Sequence, residues 1–219
     1  MNPPHPPGFL AIPPSGNGRG VLVLHAWWGL NDTVKAFCTR LALNGFVAFA
    51  PDLYHGKVAD QVADAEALSR ALDATHTRAK EEIAQAAKFV DEHGGGSDAG
   101  IAVIGFSLGA YYALHLAATA PEHVDAVVLF YGSGVDEHGA SRARYLGHFA
   151  ENDPYEPQAS VDHLEDSLRR AGRPATFHRY AGAGHWFFEP DRSDAYRADA
   201  AALAWDRTLA FLQAPPTTR

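Results

Sequence analysis

The chain has 219 residues, 47% of them hydrophobic and 20% charged, with a formal net charge of −8 at pH 7. That length suits one domain with a full core and is short for two. The acidic surplus and the absence of any basic run exclude nucleic acid as an expected partner, and no stretch reaches the ~18 apolar residues of a membrane span.

Taken in chain order, strand and helix signals alternate. The segment "MNPPHPPGFL" carries four prolines, which predicts an extended, poorly ordered lead-in over residues 1–15. The turn signal "SGNGRG" precedes the short apolar run "VLVLH", a predicted strand. "NDTVKAFCTRLALNG" follows as a helix, with Asn31 or Asp32 as its cap and Val34, Phe37, Cys38 and Leu41 on its apolar stripe. "FVAFAPDLY" reads as the next buried strand, stopped by Pro51. From Asp60 to His93 the pattern is helical and rich in alanine, and "GGGSD" ends it. "IAVIGFS" is a strand, "LGAYYALHLAATA" a helix, "DAVVLFYG" a strand and "YLGHFA" a weaker one. "SVDHLEDSLRRAG" is a helix with Gly172 just past its end, "ATFHRYAG" a strand, and Ser193 to Leu212 a closing helix. Strands that are apolar throughout and separated by helices imply one α/β domain over residues 16–213, its mostly parallel twisted sheet covered on both faces.

In such sheets, sites form at the carboxyl ends of the strands. Ser107 sits there, in "GFSLG", which matches G-x-S-x-G at a strand-to-helix junction. A serine on that turn often takes a strained backbone conformation, and Cβ atoms at Gly105 or Gly109 would collide with neighbouring chain. The amides that open the next helix favour a developing oxyanion. A serine hydroxyl needs a base, and the base an orienting acid, in the chain order Ser, Asp or Glu, His. "FAENDPYEP" offers Glu151 and Asp153, and "RYAGAGHWFFEP" offers His185 among small residues. His178 lies inside the last strand and His163 on a helix, which places neither at the site. The second oxyanion amide comes from the loop "HAWWGL", so the amides of Trp27 and Leu108 are the candidates. The ring of Trp28 suits core packing and a pocket wall equally.

Twelve histidines are present, but none falls in HExxH or another close pair on one helix face, so no metal is expected. Cys38 is the single cysteine, on the apolar side of its helix, and reads as a small buried hydrophobe. One cysteine forms no intrachain disulfide, and the start of the chain lacks the basic region and apolar run of a signal peptide; the expected location is the cytoplasm.

These segments together resemble the dienelactone hydrolase family of α/β-hydrolases. The resemblance runs from about Val21 to Leu212 and rests on "VLVLHAWWGLND", "FVAFAPDLYHGK", "IAVIGFSLGAYYAL", "LGHFAENDPYEP" and "YAGAGHWFFEP". It implies an α/β-hydrolase fold and a triad of Ser107, Asp153 and His185, with Asp153 preferred to Glu151 because the family's acid shortly precedes a proline, here Pro157. Three departures stand out. Dienelactone hydrolases proper use a cysteine where Ser107 stands. They carry a glutamate in the oxyanion loop, where this chain has Ala26. They hold the substrate carboxylate with arginines, one of them four residues after the histidine, where this chain has Glu189. The link between Tyr131 and Tyr145 is too short for a cap domain, so the expected site is open, rimmed by Trp27, Trp28, Tyr54 and Trp186, with Glu189 facing the substrate. The expected activity is hydrolysis of a small-molecule ester or lactone through an acyl-enzyme, with no cofactor implied.

Overall fold

A computed structural model of the chain describes residues 5–95, 100–134 and 138–215. Seven strands form one sheet in the order β1-β3-β2-β4-β5-β6-β7. They are β1 (Gly8–Ala11), β2 (Gly20–Leu24), β3 (Val47–Pro51), β4 (Ile101–Phe106), β5 (Val124–Phe130), β6 (Arg144–Ala150) and β7 (Ala175–Tyr180). The helices are α1 (Asp32–Leu43), α2 (Val62–Asp73), α3 (His76–His93), α4 (Leu108–Thr119), α5 (Gln158–Arg170) and α6 (Ala198–Gln213). Only β1 runs antiparallel to its neighbour, pairing Gly8 with Pro51 through Ala11 with Ala48; every other pairing is parallel. Within the lead-in expected over residues 1–15, Gly8–Ala11 is therefore a hydrogen-bonded edge strand rather than loose chain. Residues 1–4 lie outside the described part of the chain.

The central strands are apolar throughout because each face of the sheet has its own helical cover. On one side Val21, Val23, Ala102, Ile104, Ala126 and Val128 meet α1 and α6 through Phe37, Leu41, Ala204 and Trp205. On the other, Leu22, Leu24, Val103, Val127 and Leu129 meet α3, α4 and α5 through Ile83, Ala86, Ala113, Leu114 and Leu164. The side-chain alternation of a strand divides each run between the two cores. Cys38 is buried in the first, and burial pushes its thiol up to about 12, which leaves it a packing residue.

Three element boundaries differ from the sequence pattern. The helical stretch after Asp60 is two helices, α2 and α3. The break falls where the Thr75 amide donates to Leu72 O at 2.9 Å and its hydroxyl to Ala71 O at 3.2 Å. No Gly or Pro marks it, so periodicity runs across it. The last helix begins at Ala198 rather than Ser193, because Ala195 and Tyr196 fold back as turns onto Arg192 O and the Arg197 amide donates to Phe187 O. Strand β6 is a full seven residues, all buried. Its first residue, Arg144, donates to Phe211 O and Ala214 O, while Arg19 bridges Leu212 O and Asp125, so two guanidiniums satisfy carbonyls at the end of α6. Between β5 and β6 the described residues form neither helix nor strand, so no cap domain stands there among them.

His148, in the middle of the sheet, is fully buried, with Nδ1 2.8 Å from Tyr180 Oη and Nε2 2.9 Å from Thr208 Oγ1. Burial, then the nearby His178 and Arg207, holds its pKa well below 6.5. Below about pH 6.5 the unfolded chain takes up a proton that the folded chain refuses, so stability falls as the pH drops. We expect urea midpoints of the wild type to decline between pH 6.5 and 5 more steeply than those of His148→Gln, by up to ~1.4 kcal/mol per pH unit. Parallel profiles would refute this.

Candidate active site

The carboxyl ends of the parallel strands converge on Ser107, Asp153 and His185. Ser107 follows β4 with φ +49° and ψ −112°, a left-handed backbone that few side chains adopt. Its amide donates to Phe130 O at 2.9 Å and its carbonyl accepts from Ala110 N at 2.8 Å. A Cβ at Gly105 would stand 2.4 Å from Gly109 O, and one at Gly109 would stand 2.2 Å from Leu24 O. The two glycines are thus required by the closeness of β4, α4 and β2 at this turn. Gly132, after β5, is a third, since its Cβ would meet Ser107 O at 2.5 Å.

His185 lies in the loop after β7. Its Nε2 is 2.9 Å from Ser107 Oγ, and its Nδ1 is 2.7 and 2.9 Å from the two oxygens of Asp153. A carboxylate at Nδ1 keeps the imidazole proton there and leaves Nε2 to accept from the serine hydroxyl. Asp153, in the loop after β6, also accepts from the amides of Tyr155 (2.9 Å) and Glu156 (3.0 Å). The side chains of His185 and Asp153 are only 4% and 1% exposed, so the pair is nearly shielded from water. Glu151, the other acid considered, instead accepts from the Gly182 amide at 2.9 Å and ties the two loops together.

Ser107 and His185 border a cavity of about 230 Å³. Trp27, from the loop after β2, Leu108, at the start of α4, and Trp186, next to His185, also border it. Among the described residues, no group of three or more His, Cys, Asp and Glu is arranged to hold a metal ion.

The sequence profile of the dienelactone hydrolase family matches residues 7–215 of this chain. The protein usf of Aquifex pyrophilus is 33% identical over 94% of the chain and 92% of its own length. A protein of Aquifex aeolicus provisionally named carboxymethylenebutenolidase is 32% identical with the same coverage. Among solved structures, a provisionally named dienelactone hydrolase of Klebsiella pneumoniae superposes with a TM-score of 0.79 at 25% identity, covering 92% of this chain and 90% of that one. The chain belongs to the dienelactone hydrolase family. It is a hydrolase of the ester- and lactone-cleaving class, on an α/β-hydrolase fold.

Within this family frame, three expected pocket residues sit elsewhere. Tyr54 does not border the cavity; it is buried with its ring 4.9 Å from that of His25. Trp28 is also buried, with Trp186 edge-on at 5.0 Å and the Arg192 guanidinium over its ring at 4.1 Å, so it backs Trp186 rather than facing a ligand. Glu189, at the position where the family resemblance calls for an arginine, does not border the cavity. It is buried and accepts from Tyr131 Oη at 2.6 Å. The strand-end tyrosine offers an interior partner that the spacing after His185 does not reveal. Tyr131, at φ +39°, in turn packs its ring 4.9 Å from that of His185.

Tyr111, Tyr131, Ser133, Tyr155 and Glu156 border the cavity without having been singled out from sequence. Tyr111 is four residues after Ser107, one helical turn above it on the same side of α4. Tyr155 and Glu156 follow Asp153 directly. Those spacings were the available signal.

Burial raises the Glu189 carboxyl to about 8, against the smaller opposing effect of the Tyr131 hydrogen bond. Between about pH 4.5 and 8 the folded chain therefore holds a proton that the unfolded chain has lost, and stability falls as pH rises through that window. Glu189→Gln keeps an acceptor for Tyr131 and removes the proton. We expect its stability advantage over wild type to grow from pH 5 to 8 by up to ~1.4 kcal/mol per pH unit, read from denaturant midpoints. A constant difference would contradict the buried carboxyl.

Proposed function

We propose that this protein hydrolyses a small ester or lactone through an acyl-enzyme, with Ser107 as nucleophile, His185 as general base and acid, and Asp153 as the group that orients the imidazole and stabilises its protonated form. The observation that carries the reading is the unbroken chain of hydrogen bonds from Asp153 through His185 to Ser107 Oγ on the edge of a cavity. Ser107 Oγ attacks the carbonyl carbon as His185 Nε2 takes its proton, and Asp153 stabilises the imidazolium. The oxyanion forms beside the amides of Trp27 and Leu108, where the positive end of α4 adds to the hydrogen bonds. The intermediate collapses as His185 returns the proton to the leaving oxygen. Water, activated by the same nitrogen, then releases the acid and restores the serine.

The strained turn at Ser107 supports this role, since a positive φ at the serine of G-x-S-x-G is the backbone that presents a nucleophile at the top of such a sheet. Among the described residues no Lys or Arg borders the cavity, whereas Glu156 does. An anionic substrate would shed its hydration there without finding a fixed cation. We therefore infer that carboxylated lactones are poor substrates and that neutral ones are better. A second reading, hydrolysis of a carboxylated dienelactone, draws support from the Aquifex aeolicus relative's name. No helix among the described residues is long and apolar enough to cross a membrane, and the lone buried Cys38 suits a reducing cytoplasm.

Ser107→Ala is expected to lower kcat on 4-nitrophenyl acetate by ~10⁴ or more with an unchanged circular dichroism spectrum. A fluorophosphonate should add its mass to the wild type alone; equal labelling of both proteins would sink the assignment. Between substrates of similar size, kcat/KM for a neutral lactone should exceed that for a carboxylated dienelactone by about tenfold or more. The reverse order would establish the second reading.

A further inference from the structure

The cavity has a charge and a lining that a plain neutral ester does not use. Glu156 accepts from the Ser133 amide at 2.9 Å with one oxygen and from the Ser133 hydroxyl at 2.7 Å with the other. These bonds fix the carboxylate in the cavity wall, with its remaining lone pairs unassigned, since each oxygen can accept twice. No Lys or Arg of the described residues forms an ion pair with it. Burial shifts its pKa upward, against the two Ser133 hydrogen bonds, with smaller opposed effects from Asp153 and His185.

Around this carboxylate the cavity is walled by aromatic rings. Trp27 meets Tyr155 edge-on at 5.8 Å, Tyr155 lies 4.9 Å from Trp186, and Tyr111 borders the same space. An anionic group beside several indole and phenol rings is the chemistry that holds an alkylammonium ion. The rings offer negative faces and low hydration competition to a soft cation, and the carboxylate supplies the countercharge. A carboxylate ligand would be repelled by the same wall, and a simple metal cation would lack the several oxygen ligands it needs.

We propose that the pocket selects esters or lactones that carry a quaternary or protonated ammonium group, with Glu156 as charge partner and Trp27, Tyr111, Tyr155 and Trp186 as the aromatic surround. The proposal rests on the reading of Ser107 as nucleophile and adds to it a substrate class. In the reaction the acyl C–O bond breaks and water supplies the new one. The leaving oxygen takes its proton from His185, and the ammonium group keeps its charge throughout.

The test compares kcat/KM within two isosteric pairs at low ionic strength. In the first, acetylcholine is set against 3,3-dimethylbutyl acetate, with the cation on the leaving alcohol. In the second, the 4-nitrophenyl ester of 4-(trimethylammonio)butanoic acid is set against 4-nitrophenyl 5,5-dimethylhexanoate, with the cation on the acyl group. At least one pair is expected to favour the cation by about tenfold, less so at high salt, and Glu156→Gln should bring that ratio close to one. The glutamine keeps an acceptor for Ser133, and a thermal melt checks its fold.

A cation preference absent from both pairs, or one that Glu156→Gln leaves intact, overturns the proposal. Turnover of 4-nitrophenyl acetate, and its loss in Ser107→Ala, reports separately on the hydrolase reading. Should no ester turn over, tryptophan fluorescence still decides. Saturable quenching by tetramethylammonium chloride, beyond that by sodium chloride and absent from Glu156→Gln, supports the ammonium site. No saturable change rejects it.

Discussion

The left-handed backbone at Ser107 is the constraint from which the site's geometry follows. A residue with a side chain takes φ +49° only where its surroundings over-determine it, and here three elements do so. The amide of Ser107 is held by Phe130 O from β5, and its carbonyl starts the first turn of α4. Meanwhile β2 approaches so closely at Leu24 that position 109 has no room for a methyl group. The same closeness brings the backbone of Leu24 and His25 against the first turn of α4. Strain at one residue and close packing at two glycines are thus a single arrangement.

Around that fixed point the electrostatics are lopsided. Asp153 is nearly shielded from solvent, yet it accepts three hydrogen bonds, from His185 Nδ1 and the amides of Tyr155 and Glu156, so its charge is well supported without a salt bridge to Arg or Lys. Glu156 adds a second carboxyl at the cavity, while Glu189 is buried against Tyr131 with its carboxyl raised to about 8, so it keeps its proton at neutral pH. The cations nearby are spoken for elsewhere: Arg192 lies over Trp28 and bonds to Asp191 and the Asp60 carbonyl. A family scaffold that resemblance associates with arginine-held carboxylates has here been lined with the opposite charge.

Most of the fold was legible because the signals were local. Buried strands announced themselves as unbroken apolar runs, Asn31 caps α1 through its side chain to Val34 N, and Gly172 follows α5 at φ +70°. The helix break at Thr75 and the late start of α6 were not legible, since both depend on packing and carry no Gly or Pro. In the site, G-x-S-x-G located Ser107, and chain order with loop composition brought forward His185 but left Glu151 and Asp153 both open; the family resemblance favoured Asp153, which the fold sets within hydrogen-bond distance of His185. Side-chain direction was the part that escaped. Position alone could not say that Glu189 would turn inward to a tyrosine from another strand, or that Tyr54 and Trp28 would face the core. Tyr111, which borders the cavity, carries no distinct signal because an aromatic residue one helical turn from a serine looks like any core residue.

The loop after β6 carries two responsibilities within a few residues. Asp153 orients the histidine, and the backbone amides that support its carboxylate belong to Tyr155 and Glu156, whose side chains border the cavity. Side-chain replacements at 155 and 156 leave those amides in place, so the ligand-facing surface can drift while the orienting carboxylate stays supported. Insertions or deletions in the same loop cannot do so, because they would move the amides themselves. Divergence of selectivity among relatives of this protein should therefore run through residue exchange at constant loop length, with length variation confined to loops that do not hold the acid.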